Sequence, residues 1–288
     1  MVVKKVKFKL QGHEKFPLRE GWINKALIII PTIPEVFLKK DAADMFGIGS
    51  NMVKSLRYWL RAFGLTIEKG AAGTELTELG KLIAEYDPCL EKAFTLWIMH
   101  SYIVKNSEEA TTWFLYFNRC DADELKKSEI ETILLREVKK YVEGQKFSEK
   151  SLSSDVDVLL NMYSKNKEKS DPEDKNISPF SQLALIKKAD GKYMKNRPDK
   201  RCFSELIVLY ELIRMSKDLN GISIEKAVHG ENGLANIYNL TSVMANDYFD
   251  RLADAGYIQV NRTAGLDMIY LTKKIGASEV LREYYQNC

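Results

Sequence analysis

The stretch that decides the fold runs from Phe37 to Leu82 and has the sequence FLKKDAADMFGIGSNMVKSLRYWLRAFGLTIEKGAAGTELTELGKL. Its central segment, Ser50 to Phe63, carries apolar residues at helical spacing, so it predicts an amphipathic helix with one side facing a core. The apolar positions are Val53, Leu56, Leu60 and Phe63. We also predict that Trp59 is a core residue, because an aromatic at helical spacing is more often packed than stacked on a base.

A shorter helix, Asp41 to Phe46, is expected before this one, because the glycines of Gly47-Ile48-Gly49 would end a helix. Ser50 could then cap the next helix. Two strand-like segments follow, Leu65 to Lys69 and Glu75 to Leu79, and the loop GAAG between them is typical of a hairpin. Helix, turn, helix and hairpin in this order predict a winged helix-turn-helix unit.

The outer side of the second helix is basic, and a cationic helix of this kind is suited to a polyanion. The residues predicted to bind DNA there are Asn51, Lys54, Arg57, Tyr58 and Arg61. The alternative is a packed helical hairpin whose charges are simply solvated.

A second basic patch is predicted on a hairpin whose strands, Leu183 to Lys188 and Lys192 to Lys195, flank Asp190-Gly191. Its predicted DNA-binding residues are Lys187, Lys188, Lys192, Lys195 and Arg197. Exposed hairpins are also rich in lysine for solubility and to block edge pairing, which is the alternative interpretation.

Composition sets looser bounds. The chain of 288 residues has 29% charged residues and a net charge of +3, so any nucleic-acid site must be local. The apolar stretch Ala26 to Ile33 is too short to cross a bilayer. The segment Val2 to Leu10 is a lysine-rich, strand-like alternation, which is not the pattern of a signal peptide. The four cysteines have no spacing typical of zinc sites or disulfides. We therefore expect a cytoplasmic protein with no membrane contact.

The expected fold class is mainly α with small β-wings, in which two winged helix-turn-helix modules are joined by a helical middle region. The predicted parts are an N-terminal DNA-binding module (1–88), a helical scaffold with an aromatic interior (89–163), a linker with the basic hairpin (164–202) and a C-terminal winged-helix-like module (203–288). In the second module the strands Ile258 to Asn261 and Met268 to Leu271 would form a second wing, a hairpin around Ala264-Gly265. The helix before it would present three carboxylates, Asp247, Asp250 and Asp254. We expect that helix to contact proteins, since its charge repels phosphate.

The segments Gly12 to Trp22 and Gly47 to Leu60 resemble a bacterial domain family of formerly unknown function that is associated with DNA phosphorothioation. Shorter matches extend the resemblance over roughly the first two thirds of the chain: Leu76 to Gly80, Asp87-Pro88, Thr95 to Trp97, Asp155 to Asp157 and Ser178-Pro179. The resemblance implies an SspB-like component of the Ssp DNA sulfur-modification system, which serves phage defence.

Such a component is implied to bind double-stranded DNA and to nick one strand, so that sulfur can replace a non-bridging phosphate oxygen. The partners implied are a cysteine desulfurase, a sulfurtransferase and an ATPase. Whether the protein also forms a homodimer is left open. The rival hypothesis is a non-catalytic adaptor that binds DNA and recruits the sulfur-transfer proteins.

Nicking needs a base, a phosphate clamp and usually a metal ion, here Mg2+ or another divalent metal. The candidate catalytic residues are His13, Glu14 and Arg19, which share one short polar segment. The alternative for this segment is a hydrogen-bonded structural corner. The candidate metal ligands are Glu14, Asp155 and Asp157, although the two aspartates could instead cap a helix.

Overall fold

The computed structural model describes residues 5–165, 177–216, 221–263 and 265–287. The chain divides into two compact units, Met1–Asn196 and Arg197–Cys288. Each unit consists mainly of helices with small antiparallel sheets, so the coarse fold class is confirmed. Residues 166–176 of the predicted linker region lie outside the described residues, as does Ala264 in the predicted second wing. The division into four parts stays a prediction.

The first half of unit 1 contains four α-helices, two 3-10 helices and a hairpin among the described residues. These are α1 (Trp22–Ile29), a 3-10 helix (Pro34–Leu38), α2 (Ala42–Phe46), α3 (Ser50–Ala62), β1 (Thr66–Glu68), a 3-10 turn (Gly70–Ala72), β2 (Thr74–Leu76) and α4 (Glu78–Tyr86). Strands β1 and β2 pair antiparallel. The hairpin packs closely on the 3-10 helix Pro34–Leu38. A Cβ added to Gly73 would lie only 2.3 Å from the Pro34 carbonyl oxygen, so this position requires glycine. The predicted cap by Ser50 is wrong, since α3 begins after Gly49 without a side-chain cap.

The second half of unit 1 is helical with a three-stranded sheet. Its elements are α5 (Ala93–Lys105), α6 (Thr111–Arg119), β3 (Glu124–Lys126), α7 (Lys127–Tyr141), α8 (Glu149–Ser164), a 3-10 helix (Pro179–Leu183), β4 (Ile186–Ala189) and β5 (Lys192–Lys195). The helical scaffold predicted over 89–163 is not helical throughout, because strand β3 interrupts it and pairs with β5 of the distant hairpin. That hairpin is confirmed, with left-handed Asp190 and Gly191 in its turn.

An aromatic cluster fills the core of unit 1. Trp59 stacks on Phe63 at 5.6 Å between ring centres, and Phe63 stacks on Phe180 at 5.0 Å. The edge of Trp113 meets Trp59 at 5.5 Å. The prediction of Trp59 as a core residue is therefore confirmed. The predicted aromatic interior is buried as well: Phe94, Trp97, Ile98, Trp113, Phe114 and Phe117.

The N-terminal segment differs from its prediction. Residues 5–10 contain no strand, although the alternation from Val2 to Leu10 favoured one. Side chains distant in sequence bind this backbone instead: Thr111 Oγ1 accepts from Lys9 N–H at 2.9 Å, and Gln145 Nε2, between α7 and α8, donates to the Val6 carbonyl at 2.9 Å. These hydrogen bonds take the place of the strand-to-strand backbone hydrogen bonds that a β-strand would form.

Unit 2 contains five helices and one three-stranded sheet within the residues described. They are α9 (Glu205–Met215), β6 (Ile222–Ser223), α10 (Ile224–His229), α11 (Leu234–Tyr238), α12 (Ser242–Asp254), β7 (Ile258–Thr263), β8 (Leu266–Leu271) and α13 (Ala277–Gln286). The strand order is β6-β8-β7, with antiparallel pairing throughout. The two strands predicted for the second hairpin are thus confirmed as β7 and β8.

Candidate nucleic-acid interface

Helix α3 separates an inward apolar side from an outward polar side. The apolar positions predicted from the spacing are all buried: Val53, Leu56, Leu60 and Phe63. Asn51 and Lys54 are exposed, and Lys54 Nζ donates to Asn51 Oδ1 at 3.3 Å. The outer side of α3 therefore offers solvent an amide and an ammonium group.

Arg57 on the same helix is bound by a carboxylate. Its Nε donates to Glu68 Oε1 at 2.8 Å and its Nη2 donates to Glu68 Oε2 at 2.6 Å, which is the bidentate geometry of a strong ion pair. Thr74 Oγ1 donates a further hydrogen bond to Glu68 at 3.2 Å. The hydrogen bond from Arg57 lowers the pKa of Glu68, and the same bond raises the pKa of Arg57. This pair links α3 to strand β1 and neutralises one of the predicted DNA-binding cations.

Arg61 also faces acidic groups. Its Nη2 lies 3.4 Å from Glu109 Oε2 and its Nη1 lies 3.9 Å from Glu68 Oε1. Glu109 in turn binds Lys9 at 2.6 Å, so cations and carboxylates alternate along this side of the helix. Tyr58, the fifth predicted contact on α3, is 3% exposed, and burial raises its pKa well above the usual value. Tyr58 therefore presents no side-chain surface to a ligand.

The basic hairpin presents two unpaired lysines within the described part of the chain. Lys187 and Lys188 are exposed, and Lys188 Nζ lies 5.3 Å from the centre of the Tyr193 ring. Lys192 pairs with Glu124 of the neighbouring strand β3 at 2.8 Å. Arg197 is exposed and belongs to unit 2. Lys187 and Lys188 are therefore the hairpin cations that are open to an anion.

Lys195 points away from this patch. Its Nζ donates to the backbone carbonyl of Cys120 and lies 5.6 Å from the centre of the Tyr116 ring. Burial lowers the pKa of Lys195. The ammonium group is thus a structural donor inside unit 1 and lies outside the exposed patch to which the sequence assigned it.

His13 lies inside the core of unit 1 and is 0% exposed. Its Nδ1 accepts a hydrogen bond from the Lys15 N–H at 3.1 Å, so the proton of the neutral ring is on Nε2. Nε2 donates to Asp155 Oδ1 at 2.8 Å. The ring also stacks on Trp59 at 5.8 Å. This geometry favours the structural corner over the general base, while the catalytic assignment stays a prediction.

Asp155 joins three separate parts of unit 1 and is 2% exposed. Oδ1 accepts from Gln11 N–H at 2.7 Å as well as from His13, and Oδ2 accepts from Thr112 Oγ1 at 2.6 Å. The predicted role as a helix cap is wrong, because α8 begins at Glu149 and is capped by Ser148. Asp155 holds the N-terminal loop against α6 and α8.

The other predicted site residues lie apart. Glu14 is exposed, with a left-handed φ of 50°. Asp157 is also exposed, and its Oδ1 pairs with Lys127 at 2.6 Å. Arg19 packs its guanidinium carbon 5.8 Å from the Phe16 ring centre.

These positions do not fit a divalent metal. Both oxygens of Asp155 are occupied by hydrogen bonds, and Asp157 leaves the helix in another direction. In the described ranges, no group of three or more His, Cys, Asp or Glu side chains is arranged to hold a metal ion. The predicted ligands Glu14, Asp155 and Asp157 therefore do not form a magnesium site in this arrangement.

Two acidic residues that contact the arginines of α3 were not among the predicted site residues. Glu68 lies 11 residues after Arg57 in the strand that follows the helix, and a hairpin folded back on its helix could have suggested that pair. Glu109 approaches Arg61 from the turn before α6, and no local pattern signals the contact.

The three carboxylates of α12 are partly paired. Asp247 binds Lys200 at 3.2 Å, and Asp250 binds Arg262 of β7 at 2.8 Å. Asp254 is exposed. The expectation that this helix contacts proteins stays a prediction.

The sequence matches the DUF4007 family, described as proteins of unknown function, over residues 10–285, so the chain belongs to this family. Two solved structures share its fold: an SspB crystal structure (TM-score 0.85, 24% identity) and a magnesium ion-bound SspB crystal structure (TM-score 0.83, 23% identity). Each alignment covers 97% of this chain and 88% of the SspB chain. At this identity the likeness establishes the fold.

No curated protein matches the sequence. Among the described helices, none combines the length and the apolarity that crossing a membrane requires.

Proposed function

We propose that this protein binds double-stranded DNA as a component of bacterial DNA phosphorothioate modification. The observation that carries the proposal is the exposed polar side of α3, with Asn51 and Lys54, beside the β1-β2 hairpin. The SspB fold over nearly the whole chain supports the pathway, and the resemblance of Gly12 to Trp22 and Gly47 to Leu60 agrees with it.

In this proposal α2, α3 and the β1-β2 hairpin act as a winged helix-turn-helix, with α3 as the recognition helix. Lys54 contacts phosphate and Asn51 contacts a phosphate or a base edge. The exposed lysines Lys187 and Lys188 hold the DNA backbone. Arg57 and Arg61 contribute to DNA binding only where a phosphate displaces their carboxylate partners, Glu68 and Glu109.

Unit 2 has the element order of a second winged module, with α12 in the position of the recognition helix. Because α12 carries Asp247, Asp250 and Asp254, we assign it to a basic protein partner such as the desulfurase, the sulfurtransferase or the ATPase. The same pathway implies that the protein is cytoplasmic and has a role in phage defence.

Salt-dependent binding tests the interface. Lys54→Ala should make the slope of log affinity against log salt shallower by about 0.9, which is the value for one lost phosphate contact. The double variant Lys187→Ala/Lys188→Ala should change the slope by about twice that amount. Fluorescence anisotropy with a labelled duplex measures both.

Lys150→Ala is the matched control, because it removes an exposed lysine from α8 on the same unit. It should leave the slope unchanged. Wild-type affinity and slope in both test variants, with an unchanged circular dichroism spectrum, would remove these lysines from the interface.

Strand nicking is the second candidate activity, and the magnesium-bound SspB of the same fold is the observation that favours it. Because the predicted metal ligands lie apart, the geometry supports the adaptor better. Conversion of supercoiled plasmid to open circle distinguishes the two, with Mg2+ in one reaction and a chelator in the other.

Glu14→Gln carries the residue-level test, since Glu14 is exposed whereas His13 belongs to the core. If Glu14 takes part in catalysis, this variant should nick at least roughly 100-fold more slowly with unchanged duplex binding. Nicking at the wild-type rate removes Glu14 from the mechanism. Duplex binding without any nicking identifies the adaptor.

A further inference from the structure

Residues 5–9, with the sequence KVKFK, form a basic arm on unit 1. Lys5 and Lys7 are exposed, whereas Val6 and Phe8 are half-buried. This alternation is typical of an extended chain with one side against the protein and the other side in solvent. The basic arm therefore directs Lys5 and Lys7 outward.

The basic arm is fixed in position on unit 1. Gln145 Nε2 donates to the Val6 carbonyl and Lys9 N–H donates to Thr111 Oγ1, both at 2.9 Å. Three residues further on, Gly12 lies so close to α3 that a Cβ added to it would overlap the Tyr58 ring. The chain therefore passes directly from a contact with α3 into the basic arm.

The basic arm also lies beside the end of α3 that carries Arg61. A single oxygen, Glu109 Oε2, is 2.6 Å from Lys9 Nζ and 3.4 Å from Arg61 Nη2. One carboxylate is thus shared by a cation of the basic arm and a cation of α3. Because two cations share one anion, this part of the surface keeps a positive charge.

The two outer lysines of the basic arm are open to another anion. Lys5 has no ion pair among the described residues. Lys7 pairs with Glu108 at 3.5 Å, and the two side chains are 78% and 60% exposed. An exposed pair of this kind contributes little to stability, so a phosphate can take the place of Glu108.

We propose that the basic arm binds the phosphate backbone of DNA next to the segment that α3 contacts. The inference rests on the proposed duplex binding and adds a contact beyond α3 and the β1-β2 hairpin. In an extended chain Lys5 and Lys7 lie about 7 Å apart. This is about the rise of two base pairs of duplex DNA, so each lysine can meet a different phosphate.

Salt-dependent binding of a labelled duplex tests the charge of the basic arm. Lys5→Ala/Lys7→Ala should make the slope of log affinity against log salt shallower by about 1.8, the value for two lost phosphate contacts. Lys5→Arg/Lys7→Arg keeps both charges and should keep the slope. The control Lys273→Ala/Lys274→Ala removes two exposed lysines from unit 2 and should also leave the slope unchanged. An unchanged slope in the arm variant, or an equal change in the control, would overturn the inference.

Acetylation of lysines in the unaltered chain locates the contact directly. The full chain is treated briefly with an acetylating reagent, and the extent at each lysine is followed by peptide mass spectrometry. A duplex at ten times its dissociation constant leaves about one tenth of the protein free, so acetylation of Lys5 and Lys7 should slow roughly tenfold. Lys273 and Lys274 should react at the same rate with and without the duplex.

The same measurement separates the basic arm from the α3 interface. Protection of Lys5 and Lys7 without Lys54 supports the arm contact and removes α3 from the interface. Protection of Lys54 without Lys5 and Lys7 overturns the arm contact and leaves the proposed function intact. Protection of Lys5 and Lys7 by poly-glutamate but not by the duplex identifies an acidic protein as the partner and likewise overturns the inference.

Discussion

Asp155→Ala should lower the free energy of unfolding of unit 1 by about 3–5 kcal/mol, because it leaves three buried donors without an acceptor. The donors are Gln11 N–H, His13 Nε2–H and Thr112 Oγ1–H. The side chain is 2% exposed, so water cannot take over these bonds without opening the core. The N-terminal loop would lose its attachment to α6 and α8.

Tryptophan fluorescence in a urea titration measures this change selectively, because all four tryptophans of the chain belong to unit 1: Trp22, Trp59, Trp97 and Trp113. The matched control is Asp157→Ala, which removes a carboxylate two residues away on the same helix. Its ion pair with Lys127 is exposed, so it should cost less than about 1 kcal/mol. Equal costs for the two variants would contradict the structural role of Asp155.

Glu68→Gln is expected to tighten duplex binding and to steepen the slope of log affinity against log salt by about 0.9, the value for one gained phosphate contact. The substitution removes the carboxylate that binds Arg57 in a bidentate pair and faces Arg61. The Arg57 guanidinium then becomes available to phosphate, which is its other bidentate partner, whereas Arg61 keeps its contact with Glu109. Anisotropy titrations of one duplex at several salt concentrations measure the change.

Glu75→Gln is the control, because Glu75 lies on the paired strand of the same hairpin and binds Lys69 at 3.5 Å, away from α3. It removes the same charge without releasing an arginine, so its effect should be the smaller of the two. Since Arg57 holds the pKa of Glu68 below its usual range, mild acidification does not reproduce the substitution. Equal effects of the two glutamine variants would exclude Arg57 from DNA contact.

Local patterns predicted the elements, because helical spacing and turn residues act over a few positions. The spacing of Val53, Leu56 and Leu60 gave the buried side of α3, and Asp190-Gly191 gave the turn of the hairpin. The alternation of side chains along a strand could have predicted the inward position of Lys195, since Lys195 shares a strand face with buried Tyr193. A lysine in a basic run is easily taken for a surface cation.

Partners distant in sequence could not be predicted in this way. His13 and Asp155 are separated by 142 residues, and neither has a neighbour that indicates the other. The sequence grouped His13 with Glu14 because they are adjacent, whereas the fold buries one and exposes the other. The segment is polar, as its sequence indicates, but the fold holds His13 inside the core by hydrogen bonds with Asp155 and the Lys15 N–H.

The bond between Gln11 N–H and Asp155 spans 144 residues, and this separation has a consequence for the newly made chain. The loop around His13 leaves the ribosome long before α8 has been synthesised. At about 5–20 residues per second, it waits for roughly 7–30 seconds without its carboxylate partner. Nascent chains that stop before residue 149 should therefore keep this loop open to proteases and chaperones, even where α3 has already formed.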